Sequence, residues 1–112
     1  MDDRQILKSI VSILDKVVVD NLNIYNMKSH TPFYDYSVIA SVNSSRQGNA
    51  AVDYLKKEVA NLGLSVRGVS AMPDSKWFLV DLNSIVIHLF VQDERERYNL
   101  DRLYCHLEDV KV

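Results

Sequence analysis

The sequence predicts an α/β fold, a single domain over residues 1–112 with a mixed β-sheet of about five strands flanked by helices. Three observations point there. An amphipathic helix opens the chain, a strand is followed by a capped helix and a further strand, and two apolar runs are joined by only two residues. Strands alternating with helices pair through crossovers, whereas a two-residue connection makes an antiparallel hairpin, so the sheet has to be mixed.

In the opening segment Ile6, Leu7, Ile10, Val11, Ile13, Leu14 and Val17 recur at spacings of three and four, with Arg4, Lys8, Ser12 and Lys16 between them. Asp2 or Asp3 is placed to cap this helix, where free N–H groups and the positive dipole end favour a carboxylate. Leu22 to Met27 is β-branched and aromatic enough for a strand, and a polar connection through Pro32 follows. Tyr36 to Val42 alternates with period two and is a stronger strand.

Ser44-Ser45-Arg46-Gln47 has the form of a capping box, in which the Gln47 side chain returns to the Ser44 backbone. The helix it starts buries Ala51, Tyr54 or Leu55, Val59 and Leu62, and Gly63 closes it in the left-handed conformation. Leu64 to Val69 is expected as the next strand, making a strand–helix–strand crossover. Trp77 to Leu82 and Ile85 to Val91 form a hairpin about Asn83-Ser84. Helix starts recur at Asp93 and Asn99, and the residues beyond Tyr104 are expected to fray.

Composition narrows the function. With 47% hydrophobic and 25% charged residues the chain can bury a core, and its net charge of −2 is not that of a protein held mainly by nucleic-acid phosphates. A protein partner fits better. The lone Cys105 cannot close an internal disulfide, the first twenty residues lack the apolar core of a signal peptide, and no apolar run reaches membrane-spanning length. The expected location is cytoplasmic, with no membrane contact.

The hairpin loop fixes its register, which sorts its side chains onto two faces. Leu82 faces Ile85, Val80 faces Ile87 and Phe78 faces Leu89, giving a core face. The other face carries Trp77, Leu79, Asp81, Val86, His88 and Phe90. An apolar surface punctuated by an indole, an imidazole and a carboxylate has the composition of an interface, because a face meant for water alternates to Lys, Glu and Thr. The competing reading is that a helix covers this face as well, leaving Asp81 and His88 as a satisfied buried pair.

Catalytic readings have less behind them. Asp81 near His88 is half of an acid–base arrangement, but no nucleophile elbow or Gly-rich phosphate loop accompanies it. A nucleotidyltransferase-like enzyme would need two or three clustered carboxylates to hold a divalent metal, and one is present on these strands. No metal site or cofactor is expected: Cys105-His106, His30 and His88 lack ligand spacing. Lys56-Lys57, Arg67 and Lys76 read as a solvated surface, and Tyr98, beside Arg95 and Arg97, is the best exposed tyrosine.

Taken in order, the acid-capped helix, Asp35-Tyr36-Ser37-Val38-Ile39, Ser44-Ser45-Arg46-Gln47, Gly63-Leu64 through Gly68-Val69, Trp77-Phe78-Leu79-Val80-Asp81, Val86-Ile87-His88-Leu89-Phe90 and Arg97-Tyr98-Asn99-Leu100-Asp101-Arg102-Leu103-Tyr104 resemble the ribosomal silencing factor, or Iojap-like, family. The resemblance implies nucleotidyltransferase-like topology without a catalytic site. It also implies a translational repressor that binds a protein on the intersubunit face of the large ribosomal subunit and blocks joining of the small subunit when nutrients are short, with a minor contact to ribosomal RNA.

Among residues matching the family pattern, Trp77, Asp81, His88 and Tyr98 are the expected contact, and Asp35, Tyr36 and Arg46 are further candidates. Trp77, Asp81 and His88 also lie on the mixed hairpin face. The sequence departs from the pattern at Asn26, Val42 and Ser70-Ala71, where an Asp, a Gly and an acidic-glycine pair are usual. An apolar face exposed in the free protein also allows a homodimer that dissociates on binding.

Overall fold

The computed structural model describes residues 2–112. Among these, helix α1 (Asp3–Lys16) is followed by strands β1 (Asp20–Asn26) and β2 (Tyr36–Val42), helix α2 (Ser45–Asn61), strands β3 (Gly68–Ser70), β4 (Trp77–Asp81) and β5 (Ile85–Val91), and the short helices α3 (Asp93–Tyr98) and α4 (Leu100–Leu103). The sheet is mixed and five-stranded, as expected, in the order β1-β2-β5-β4-β3, with only β2 and β5 parallel.

Helix α1 is capped by Asp2, which accepts from the Gln5 N–H while the Gln5 side chain accepts from the Asp2 N–H. At α2, Ser44 Oγ accepts from the Gln47 N–H as the motif predicts, but Gln47 does not return to Ser44. Its Oε1 accepts from the Asn43 N–H, and its Nε2 donates to the Val17 and Val18 carbonyls at 3.0 and 2.9 Å. Those carbonyls sit in the turn between α1 and β1, where Val18 holds a φ of +56° and has no helical partner to offer them. Gly63, at φ +80°, closes α2.

Both long helices lie on one face of the sheet. Leu7, Ile10 and Leu14 of α1 and Ala51, Val52, Leu55 and Val59 of α2 pack on Val38, Ala40, Phe78, Val80, Ile85, Ile87 and Leu89. Gly48 marks the closest approach, since a Cβ there would lie 2.2 Å from the Phe78 ring. The hairpin pairs Phe78 with Leu89 and Val80 with Ile87, and the Leu82 N–H donates to the Ile85 carbonyl, which is the register read from the sequence.

Two further expectations change. The Leu64–Val69 strand shrinks to Gly68–Ser70 at the sheet edge, antiparallel to β4, and β5 lies between β4 and β2. Leu64 and Val66 spend their side chains on the main core from an irregular segment instead. The tail does not fray: the Asn26 N–H donates to the Glu108 carbonyl, the Val110 N–H to the Ile24 carbonyl, and Tyr25 bridges Asp109. An edge strand carries a row of unpaired backbone groups, and residues 108–110 satisfy those of β1.

Candidate partner-binding face

The second face of the sheet is covered over one half and open over the other. Over β1, β2 and β5, the tail and the α3–α4 elbow complete a small cluster of Tyr25, Met27, Ile39, Phe90 and Tyr104, against which Tyr34, Trp77, Leu100 and Leu107 pack. Toward β4 no helix follows among the described residues. There Trp77 is half-buried, stacked on Phe90 at 5.0 Å between centroids, and the Tyr98 ring lies 4.6 Å from the indole and 6.0 Å from Phe90, with 51% of its surface exposed. Leu103, 56% exposed, extends the apolar surface along α4.

His88 is 5% exposed and sits beneath the indole. Trp77 Nε1 donates to His88 Nδ1 at 3.1 Å. An indole nitrogen only donates, so Nδ1 carries no proton and the ring proton resides on Nε2, which is buried without a partner among the described residues. Burial pushes the His88 pKa down to about 4, so the ring is neutral at physiological pH.

Asp81 and His88 do not pair. The register sets Asp81 opposite Val86 and His88 opposite Leu79, on different rows of the face. Asp81 accepts instead from the Asn83 N–H at 2.8 Å, inside the hairpin turn, and lies 3.9 Å from the exposed Arg67 guanidinium. Asp81 and His88 nevertheless line one shallow groove of about 340 Å³ with Phe33, Tyr34, Leu79 and Val86, and Phe33 is 79% exposed at its rim.

The remaining candidates lie elsewhere. Asp35 joins the loop before β2 to the hairpin, donating to the Ser84 carbonyl at 2.8 Å and accepting from Met27 at 2.7 Å through backbone groups. Tyr36 packs against the main core on the helix side, with Lys28 Nζ 5.3 Å above its ring. Arg46 is exposed in the first turn of α2, on that same side of the sheet. Trp77, Tyr98 and His88 are therefore brought together, Asp81 meets them only through the groove it shares with His88, and Tyr36 and Arg46 are set apart.

Sequence reasoning missed a polar joint beneath the elbow. Arg95, whose side chain is 11% exposed, pairs with Asp101 through Nε at 2.8 Å and Nη2 at 3.1 Å. The Tyr25 hydroxyl donates to the same carboxylate at 2.7 Å. Burial alone would raise the Asp101 pKa, but the bonds from Arg95 and Tyr25 outweigh it and hold the carboxyl below its usual range; burial and that carboxylate together raise the Tyr25 hydroxyl. Only the fold brings Tyr25 to residues more than seventy positions away.

Comparison with known proteins decides the family. The model described as "Ribosomal silencing factor during starvation" matches residues 1–112. The chain belongs to the ribosomal silencing factor family. A family member from Halalkalibacterium halodurans, Ribosomal silencing factor RsfS, is 30% identical over all of this chain and 96% of its own length. A crystal structure of a protein from Bacillus halodurans superposes with a TM-score of 0.85 at 28% identity, covering 98% of this chain and 100% of that one. The mouse protein named Mitochondrial assembly of ribosomal large subunit protein 1 is 31% identical over 85% of this chain, which spans 43% of the mouse protein. In this member of the family two helices cover one face of the sheet and the other face is half open.

Proposed function

We propose that this protein represses translation by docking the Trp77–Tyr98 face on a protein at the intersubunit surface of the large ribosomal subunit, so that the small subunit cannot join. The observation that carries the reading is the half-open aromatic stack of Trp77, Phe90 and Tyr98, which the chain leaves exposed at one end. Aromatic side chains presented on a rigid hairpin are efficient anchors, because little conformational entropy is lost when a partner covers them. Membership of the silencing-factor family and the likeness to a protein named for large-subunit assembly supply the ribosome as the setting. Repression under nutrient limitation takes up the starvation of the family description, and a cytoplasmic setting belongs to the same reading.

Within this reading Trp77 and Tyr98 make the contact, Asp81 with Arg67 lies at its polar rim, and buried His88 acts by holding the indole. Asp35, Tyr36 and Arg46 lie outside the central contact, and exposed Lys76, next to Trp77 in the chain, and Arg102, which lines a groove with Tyr98 and Leu103, are basic residues placed for a minor contact with RNA. The test is sedimentation of purified protein with isolated ribosomal subunits. Co-migration with the large subunit alone, lost on Trp77→Ala, is expected; no co-migration at excess protein, or migration with the small subunit, contradicts the proposal. The exposed Tyr98 and Leu103 also favour self-association through the same face in the free state. Light scattering would then show a dimer that large subunits dissociate.

A further inference from the structure

Helix α3 contains six residues and α4 four, and neither buries a side chain fully or receives a side-chain cap at its start. Segments this short are not stable as isolated helices, so something other than their own packing holds Tyr98 against Trp77. The Arg95 guanidinium supplies it. Nε and one Nη2 hydrogen reach Asp101 across the elbow. The two Nη1 hydrogens reach the Asn21 carbonyl and, at 3.0 Å, Ser41 Oγ. With the Asn23 amide turned so that its nitrogen donates to the Leu22 carbonyl, its oxygen accepts the remaining Nη2 hydrogen at 3.0 Å.

All five guanidinium donors are thereby used, on partners from β1, β2 and α4. We propose that Arg95 and Asp101 are the positioning pair of the docking face: they seat the α3–α4 elbow on β1 and β2 so that Tyr98, three residues beyond Arg95, lies on the Trp77 indole. The inference rests on the docking reading for its consequence at the ribosome, but its structural content concerns the free chain. Asn99 turns the chain between the two residues at φ +52° and ψ +49°, so the pair clamps a bend that either helix alone would leave loose. A lysine carries the same charge but three donors from a single point, and cannot serve Asp101 and both strands together.

The test compares Arg95→Lys, Asp101→Asn, Tyr98→Ala and Trp77→Ala in the full chain. Circular dichroism melts check that the main core, on the opposite face, still folds; acrylamide quenching reports Trp77 exposure; and co-sedimentation with large subunits reports binding. Arg95→Lys and the near-isosteric Asp101→Asn are each expected to raise Trp77 quenching and weaken binding about tenfold, the scale of losing one aromatic anchor. Adding Tyr98→Ala to either is expected to weaken binding no further, because the ring has already left its seat. Unchanged quenching in both variants, or a Tyr98→Ala loss as large in the Arg95→Lys background as in the parent, overturns the proposal. If Trp77→Ala leaves binding intact, the docking reading fails while the quenching measurement still decides whether the pair positions Tyr98.

Discussion

His88 shows how a single side chain couples the interior to the face. The folded ring resists protonation down to about 4, whereas the unfolded chain takes up a proton near 6.5. The unfolded state therefore binds more protons as pH falls below 6.5, and stability that is complete above that value is lost on the way down to about 4. Between pH 7 and pH 5 the expected loss is about 2 kcal/mol, from the size of the shift. Urea melts across that range should show it in the parent and not in His88→Gln; equal slopes would contradict it. Gly48 makes the opposite point about helix propensity. Gly→Ala in a helix interior ordinarily stabilises by up to about 1 kcal/mol. At position 48 the new methyl meets the fully buried Phe78 ring, and a destabilisation of about 2 kcal/mol or more is expected in the same melts. The hairpin pattern revealed which residues share the His88 face, because a two-residue loop leaves one register. It could not reveal which ring nitrogen the indole would occupy, nor that Asp81 would turn into its own loop, since both depend on side-chain rotamers.

At the level of elements, the features written in local periodicity survive. The capped helices, β2 and the hairpin each follow from spacing within a dozen residues, and each forms where expected. The differences arise where one element completes another. Gln47 satisfies two carbonyls of the α1–β1 turn that α1 itself cannot reach, so it ties α2 to a distant part of the chain. Gln47→Ala should cost about 1–2 kcal/mol through those unpaired groups, measured by thermal unfolding. The tail is a second case. Nothing in Leu107–Val112 looks like a strand, yet the β1 edge lacks partners and the tail supplies them. Deleting residues 105–112 should destabilise the chain by on the order of 2–4 kcal/mol and promote association through the exposed edge, seen as a lower melting temperature and increased light scattering.

Across the whole molecule the two faces of the sheet divide the work. The helix-covered face, rich in Val, Ile and Leu, was legible in the sequence because burial on one side imposes strict alternation. The other face was legible in composition only: its mixture of indole, imidazole and carboxylate announced an unusual surface, but not that the elbow and tail would seal half of it and leave Trp77 and Tyr98 at the boundary. The Arg95–Asp101 joint that sets this boundary had no sequence signal, because its partners lie on strands far away along the chain. The molecule is asymmetric, with its main core on one side and an aromatic stack left half exposed on the other, and under the proposed function that second side docks on the large subunit. The direct measurement is the rate and extent of subunit joining, followed by light scattering after large subunits are pre-incubated with the protein. Loss of joining with the parent, restored by Trp77→Ala or Tyr98→Ala, is the expected result. Joining that proceeds undisturbed with the parent, or that stays blocked by both variants, would contradict the account.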